Sequence, residues 1–203
     1  MNIDYLIVGN GICGALLSRE LINRGAKVLV IDESNGHSST KVAGGIINPV
    51  TGKRMVTSWM TDELMPFAGN VYKSMEAELE GSLVADIDLL DFFPTADSRD
   101  QFQARVAQGN CFLHTINDAV DWEGDFRFNY GIGRIAPCLL LDTNSLLRLW
   151  TSKLQQSDMY LSDRFNYTDL VIAENGIEYK EIRAKKVIFC EGAVAEKNKW
   201  FER

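Results

Sequence analysis

An apolar run that stops on a glycine, with two further glycines at fixed spacing behind it, leaves a chain few ways to fold. Here Asp4-Tyr5-Leu6-Ile7-Val8 leads directly into Gly9-Asn10-Gly11-Ile12-Cys13-Gly14, and a helical pattern of apolar positions follows. A second apolar run, Val28-Leu29-Val30-Ile31, ends on Asp32-Glu33. Near-continuous apolar strands suit a parallel sheet covered on both faces, and a helix between them makes the crossover. Gly9 permits the tight strand-to-helix turn, Gly11 lets a pyrophosphate approach the backbone, and Gly14 lets the helix pack closely on the sheet. A helix over residues 12–23 offers its unpaired N–H groups and positive dipole end to phosphates. Asp32 can accept hydrogen bonds from a ribose diol. Gly9, Gly11, Gly14, the N-terminus of that helix and Asp32 are therefore expected to line a dinucleotide site.

Composition limits the alternatives. The 203-residue chain carries a net charge of −7, which argues against a sequence-independent nucleic-acid binder in need of a cationic face. With 46% apolar and 24% charged residues it has the make-up of a soluble globular protein. No apolar run is long enough to span a membrane, and the chain opens on a strand rather than a leader, so a cytoplasmic protein is expected. The four cysteines, Cys13, Cys111, Cys138 and Cys190, show no C-x-x-C spacing and are expected to be free thiols. Two histidines, His37 and His114, offer no zinc-type ligand set.

After Asp32 the chain departs from a plain nicotinamide domain. Residues 34–49, Ser-Asn-Gly-His-Ser-Ser-Thr-Lys-Val-Ala-Gly-Gly-Ile-Ile-Asn-Pro, are rich in glycine and hydroxyl groups that can wrap a phosphate or a flat ring. A helix with a proline interruption at Pro66 is expected from Thr61 to about Glu80, then a strand over residues 84–93 and a short charged helix over 98–108. Residues 111–141 interleave Phe112, Trp122, Phe126, Phe128 and Tyr130 with glycine, aspartate and asparagine, which predicts β-hairpins. A helix starts at Asp142-Thr143-Asn144-Ser145. Residues 167–173 and 177–179 form a hairpin about Asn175-Gly176, and residues 186–190 form another buried parallel strand. The predicted fold is α/β: a Rossmann-like domain with a parallel sheet, built from residues 1–50 and 143–203, interrupted by an α+β domain with antiparallel strands at 51–142.

Three separated motifs together resemble the FAD-dependent amino acid oxidoreductases of the D-amino acid oxidase and glycine oxidase group. The first is Gly9-x-Gly11-x-x-Gly14 with Asp32, where that family usually has glutamate. The second is Ser39-Thr40-Lys41-Val42-Ala43-Gly44-Gly45, similar to the family's loop beside the flavin. The third is Val187-Ile188-Phe189-Cys190-Glu191-Gly192, where the family has a strand ending in Ala-Thr-Gly or Ala-Ser-Gly. Tyr167 stands where a family valine contacts the adenine through its backbone. The resemblance implies an FAD site formed by Gly9, Asn10, Gly11, Ile12, Cys13, Gly14, Ile31, Asp32, Glu33, Ser39, Thr40, Lys41, Ala43, Gly44, Gly45, Tyr167, Cys190, Glu191 and Gly192. Cys190-Glu191 departs from the family's small pair, so backbone rather than side-chain contacts are expected there. Family members are longer, and the chain reads as an N-terminal fragment.

The implied reaction is oxidation of a C–N bond of an amino acid or amine by hydride transfer to flavin. A substrate carboxylate calls for an arginine fork. Arg54, directly after the glycine-rich segment, is the first candidate and Arg134 the second; no catalytic residue stands out. Two alternatives remain at this stage. One is a flavoprotein domain of an enzyme modifying a tRNA wobble uridine, tRNA being the only nucleic acid in view; the other is a non-catalytic dinucleotide-binding remnant.

Overall fold

The computed structural model describes residues 1–34, 38–116, 122 and 124–201. Along the chain come β1 (Asn2–Val8), α1 (Ile12–Asn23), β2 (Val28–Ile31) and a single helical turn, α2 (Ser39–Val42). Then follow β3 (Ile46–Ile47), β4 (Val50–Thr51), β5 (Val56–Thr57), α3 (Thr61–Leu79), β6 (Val84–Phe92), α4 (Ala96–Ala107), β7 (Leu113–Thr115) and β8 (Ile132–Leu141). The last part carries α5 (Thr143–Gln156), β9 (Tyr160–Leu161), β10 (Leu170–Ala173), β11 (Gly176–Tyr179) and β12 (Ile182–Phe189). These elements divide into two compact units, residues 1–43 with 143–203, and residues 44–142.

The first unit is built on a six-stranded sheet in the order β10-β11-β12-β1-β2-β9. Strands β12, β1, β2 and β9 run parallel, while β10, β11 and β12 form an antiparallel meander. Pairing of Val8 with both Phe189 and Ile31 brings the ends of three parallel strands level. That alignment decides where a ligand can sit, because the crevice at the carboxyl ends of parallel strands is where such sheets bind. Leu6, Ile7, Val30 and Ile31 are fully buried, as continuous apolar central strands require. On one side Leu6, Leu29, Ile31, Leu170, Ile177 and Tyr179 close into a single apolar cluster. Helix α5 docks on α1 through a polar contact inside the core. The Trp150 indole N–H donates to the Ser18 hydroxyl at 2.9 Å, and that hydroxyl donates to the Ala15 carbonyl at 3.0 Å. Both side chains are buried, so the bonds remove the cost of leaving polar atoms dry.

In the second unit β8 is central, with β6 along one edge and both β3 and β7 along the other, all antiparallel. A bulge between Ile87 and Leu89 shifts the β6 register. Phe102 from α4 lies under this sheet among Val50, Phe93, Leu113, Ile135 and Cys138, its ring 5.1 Å from that of Phe93. Strands β4 and β5 make a separate hairpin. The α/β class, with one sheet that contains the parallel strands and separate antiparallel sheets, is as the apolar patterns predict.

Several local expectations change. Helix α3 runs unbroken through Pro66 from Thr61 to Leu79, and its start is set by Met60 in the left-handed region rather than by a side-chain cap. The Thr61 hydroxyl instead donates backward, to the Ser58 carbonyl at 2.7 Å. Helix α4 begins two residues ahead of Ser98, because Thr95 and Ser98 form a reciprocal capping box. Tyr167–Asp169 is a 3-10 turn before the hairpin strand, and β12 starts at Ile182 rather than at Lys186. Of the aromatic 111–141 segment, β7 and β8 are strands, whereas Phe126, Phe128 and Tyr130 lie outside any strand. Phe126 and Phe128 instead pack their rings on Phe92, at 4.7 and 5.3 Å. Residues 117–121 and 123, and Asn35, Gly36 and His37 of the glycine-rich segment, lie outside the described residues.

Candidate dinucleotide site

The turn after β1 is packed to contact. Gly9 has φ +98°, and a Cβ there would lie 2.4 Å from the Cys190 carbonyl oxygen. A Cβ on Gly14 would lie 2.0 Å from the Gly9 carbonyl oxygen, so α1 sits flush on the turn that precedes it. Gly11 is different. A Cβ there would meet the Thr40 hydroxyl at 3.3 Å, leaving the backbone open to a ligand approaching from outside. Gly11 caps α1 without a side-chain bond. The first helical N–H, that of Ile12, donates to the Thr40 hydroxyl at 3.0 Å.

Asp32 ends β2 and holds the loop from the other side. One carboxylate oxygen accepts the Asn10 N–H at 2.8 Å and the other accepts the Ser34 N–H at 2.7 Å. Each oxygen keeps a second lone pair, so a hydroxyl donor can still be received. Tyr160 closes this corner: its hydroxyl lies 2.7 Å from the Ser34 hydroxyl and donates to the Asp32 carbonyl at 3.3 Å. Burial pushes the Tyr160 phenol above its ordinary range. Asn10 is buried, its amide N–H donating to the Thr151 hydroxyl of α5 at 2.8 Å while its side-chain oxygen has no hydrogen-bond partner. Neither Tyr160 nor Thr151 carried a sequence signal; each reaches the loop only through tertiary packing.

In the second motif, Ser38 caps α2 by accepting the Lys41 N–H, and Asn144 of α5 donates to the Lys41 carbonyl at 3.4 Å. Ser39, Thr40 and Lys41 lie on this turn, with Ala43 as its C-cap. Gly44 and Gly45 fall within the second unit. Gly45 has a packing reason of its own: φ is +71°, a Cβ would lie 2.0 Å from the Leu141 carbonyl oxygen, and its carbonyl accepts the Leu141 N–H at 2.8 Å.

At the third motif, the Cys190 N–H donates to the Val8 carbonyl at 2.7 Å, which fixes the end of β12 beside the Gly9 turn. Glu191 accepts the Tyr167 hydroxyl at 2.5 Å and the Asn198 amide at 2.8 Å. Gly192 follows with φ +58° and open space around it. Glu33 lies 3.9 Å from Arg164 across an exposed ion pair.

The two arginines considered for a carboxylate are both in the second unit. Arg54 is exposed in the β4–β5 turn and its carbonyl accepts from the Arg105 side chain at 3.2 Å. Arg134, on β8, pairs with Asp88 at 3.4 Å. His114 lies half-buried on β7. Among the described residues no cluster of histidine, cysteine, aspartate or glutamate is arranged to hold a metal, and no helix is long and apolar enough to cross a membrane. The described cysteines are free thiols.

The donor set at the head of α1 and the open face of Gly11 suit a bound diphosphate-containing group. No family model matches the chain. The chain superposes on the glycine oxidase of Geobacillus kaustophilus with a TM-score of 0.75, at 16% identity over 96% of this chain and 56% of that one. The chain has the fold of the amino acid oxidases. Iminodiacetate oxidase (IdaA) from Chelativorans sp. BNC1 gives a TM-score of 0.73 at 17% identity, over 95% of this chain and 56% of that one. NikD, an unusual amino acid oxidase essential for nikkomycin biosynthesis, gives 0.68 at 19% identity, over 96% and 52%. In sequence, 77 residues are 36% identical to the uncharacterized oxidoreductase YurR of Bacillus subtilis (strain 168), covering 38% of this chain and 20% of YurR. The chain thus spans about half the length of these solved structures and a smaller share of YurR.

Proposed function

We propose that the chain forms the dinucleotide-binding part, with a portion of the substrate domain, of an FAD-dependent oxidoreductase acting on the C–N bond of an amino acid or amine. The observation that carries this reading is the meeting of three distant motifs at one end of the parallel sheet. Gly9 is packed against Cys190, Ile12 is bonded to Thr40, and Asn10 is bonded to Asp32. The shared fold with glycine oxidase and NikD supports it.

The chemistry that FAD supplies when bound is acceptance of a hydride from the carbon next to nitrogen. The residues of this chain bind and orient. The N–H groups and dipole of α1 favour the diphosphate, and Asp32 accepts from the ribose while keeping the loop in shape. The Thr40 hydroxyl, which accepts the Ile12 N–H, keeps its own O–H to donate to a phosphate oxygen, and Lys41 follows it on the same turn. Residues 44–142 bear on the amine substrate, with Arg54 the leading candidate for its carboxylate and Arg134, already paired with Asp88, the second.

The test is direct. The purified protein is mixed with FAD, freed of unbound ligand and examined for visible flavin absorption, and it and any longer form of it are screened anaerobically for bleaching by amines and amino acids. Retained flavin with bleaching supports the reading. A colourless protein in both forms refutes it, and flavin without bleaching by any amine reduces it to a binding role.

A further inference from the structure

The third motif contains a carboxylate where the resembling family carries small residues, and the structure gives each of its oxygens a protein donor. The Tyr167 hydroxyl donates to one oxygen at 2.5 Å and the Asn198 amide donates to the other at 2.8 Å. Asn198 is 3% exposed and is itself anchored, its N–H donating to the Ala195 carbonyl at 3.0 Å and its side-chain oxygen accepting the Trp200 N–H at 3.0 Å. The Tyr167 ring packs edge-on against Phe165 at 5.5 Å, and Phe165 stacks on the buried Tyr179 at 4.5 Å. Phe189 meets both Phe165 and Phe201 edge-on, at 5.7 and 5.9 Å. One side chain therefore joins the 3-10 turn ahead of β10, the end of β12 and the segment after it.

A charged acceptor between two neutral donors makes stronger bonds than a neutral one. Placement matters as much as strength. Cys190, next to Glu191, is the residue against which Gly9 is packed, so a shift of the Cys190–Gly192 turn is felt at the glycine loop. A carboxylate left unpaired near a diphosphate would repel it, whereas one whose oxygens both accept protein donors has its charge partly offset.

We propose that Glu191, clamped between Tyr167 and Asn198, is a positioning residue that fixes the Cys190–Gly192 turn against the Gly9–Gly14 loop and thereby sets the grip on the dinucleotide. The inference rests on the dinucleotide reading above. Burial, with Glu191 beside it, pushes the Tyr167 phenol up to about 12, so the phenol remains a donor throughout the neutral and mildly alkaline range.

The test compares wild type with E191A, E191Q, Y167F and the double variant Y167F/E191A, measuring FAD and ADP affinity by calorimetry and the thermal midpoint of each ligand-free protein. E191A is expected to weaken both ligands about tenfold, and Y167F by a similar factor. The double variant is expected to lose little more than either single one, since both remove the same clamp. E191Q, which still accepts from Tyr167, is expected to recover most of the affinity. Wild-type affinity in E191A, or losses that simply add, would overturn the proposal. Should E191A fail to fold, Y167F, which deletes a single hydroxyl, decides by the same affinity criterion. A wild-type protein that takes up neither FAD nor ADP overturns the dinucleotide reading itself, an outcome no Glu191 variant can mimic.

Discussion

The Ile12 N–H donates to the Thr40 hydroxyl at 3.0 Å, so the head of α1 and the turn α2 are joined by one side chain from a distant segment. Helix N-termini gain about 1 kcal/mol from such a partner, which is normally supplied by the residue just before the helix. Here Gly11 occupies that position and cannot supply it. T40V, close in shape but without the hydroxyl, is expected to cost about 1 kcal/mol, with T40S nearly neutral. Thermal unfolding, together with faster exchange of the Ile12 amide in T40V, checks this; equal exchange in both variants would remove the assigned role.

Gly11 and Gly14 should separate by experiment. A Cβ on Gly14 collides with backbone at 2.0 Å and has no room to give, so G14A is expected to lose soluble folded protein. A Cβ on Gly11 meets only a hydroxyl at 3.3 Å, so G11A is expected to fold with a midpoint near wild type yet bind FAD more weakly. Circular dichroism and ligand calorimetry on the pair read the difference. A G11A protein with undiminished FAD affinity would show that the ligand does not approach this backbone.

Asp32 already holds two backbone N–H groups before any ligand arrives. D32A is therefore expected to destabilise the ligand-free protein by about 2–4 kcal/mol, on top of any loss in ribose binding. Chemical denaturation without ligand is the measurement. An unchanged unfolding midpoint would confine Asp32 to ligand recognition.

On β6, Asp91 lies opposite Gly133, and desolvation holds its carboxyl above the usual carboxylate range. A raised folded-state value means that the folded protein holds this proton more tightly than the unfolded chain does. The stabilising contribution is complete below the ordinary aspartate value and disappears as pH rises through the folded one. D91N is therefore expected to be more stable than wild type at pH 7, with the advantage shrinking toward pH 4. Paired melting curves across that window test it; a constant difference would not fit.

Glu76 behaves in the opposite sense. Its carboxylate accepts the N–H groups of Leu83 and Val84 at 2.6 and 3.0 Å, and these bonds hold it below the ordinary glutamate range. The bonds support the α3–β6 connection above the unfolded-state value and are lost as pH falls through the folded one. E76Q is expected to melt earlier than wild type at pH 7 and to approach it in acid. A variant whose deficit grows on acidification would contradict the assignment.

Much of the first unit was legible because its signals are local. The apolar run, three glycines and a second apolar run ending in acid predict β1, α1 and β2 wherever the rest of the chain goes. The hairpin about Asn175-Gly176 is likewise signalled locally, but its turn residues are Glu174 and Asn175, and Gly176 already pairs with Ala173 as the first residue of β11. Other features are absent from any local pattern. The two-residue β9 is a strand only because β2 offers Val30 and Ile31 to pair with it. Pro66 stays inside α3, whose Gly69, Tyr72 and Met75 are buried. Phe126 and Phe128 alternate like strand residues but turn instead to the Phe92 ring.

The site divides in the same way. Its glycines and Asp32 could be named from spacing, because backbone conformation and helix dipoles follow from a few consecutive residues. Which atoms they meet could not. Cys190 against Gly9, Thr40 on Ile12, Thr151 on Asn10 and Tyr167 on Glu191 join residues far apart in the chain, and only the packing of strands and helices brings them within bonding distance. The sequence by itself determined the nucleotide-type βαβ unit and its turn. Tertiary structure decided what holds that turn in shape, because hydrogen bonds between distant segments depend on distances that sequence spacing does not set.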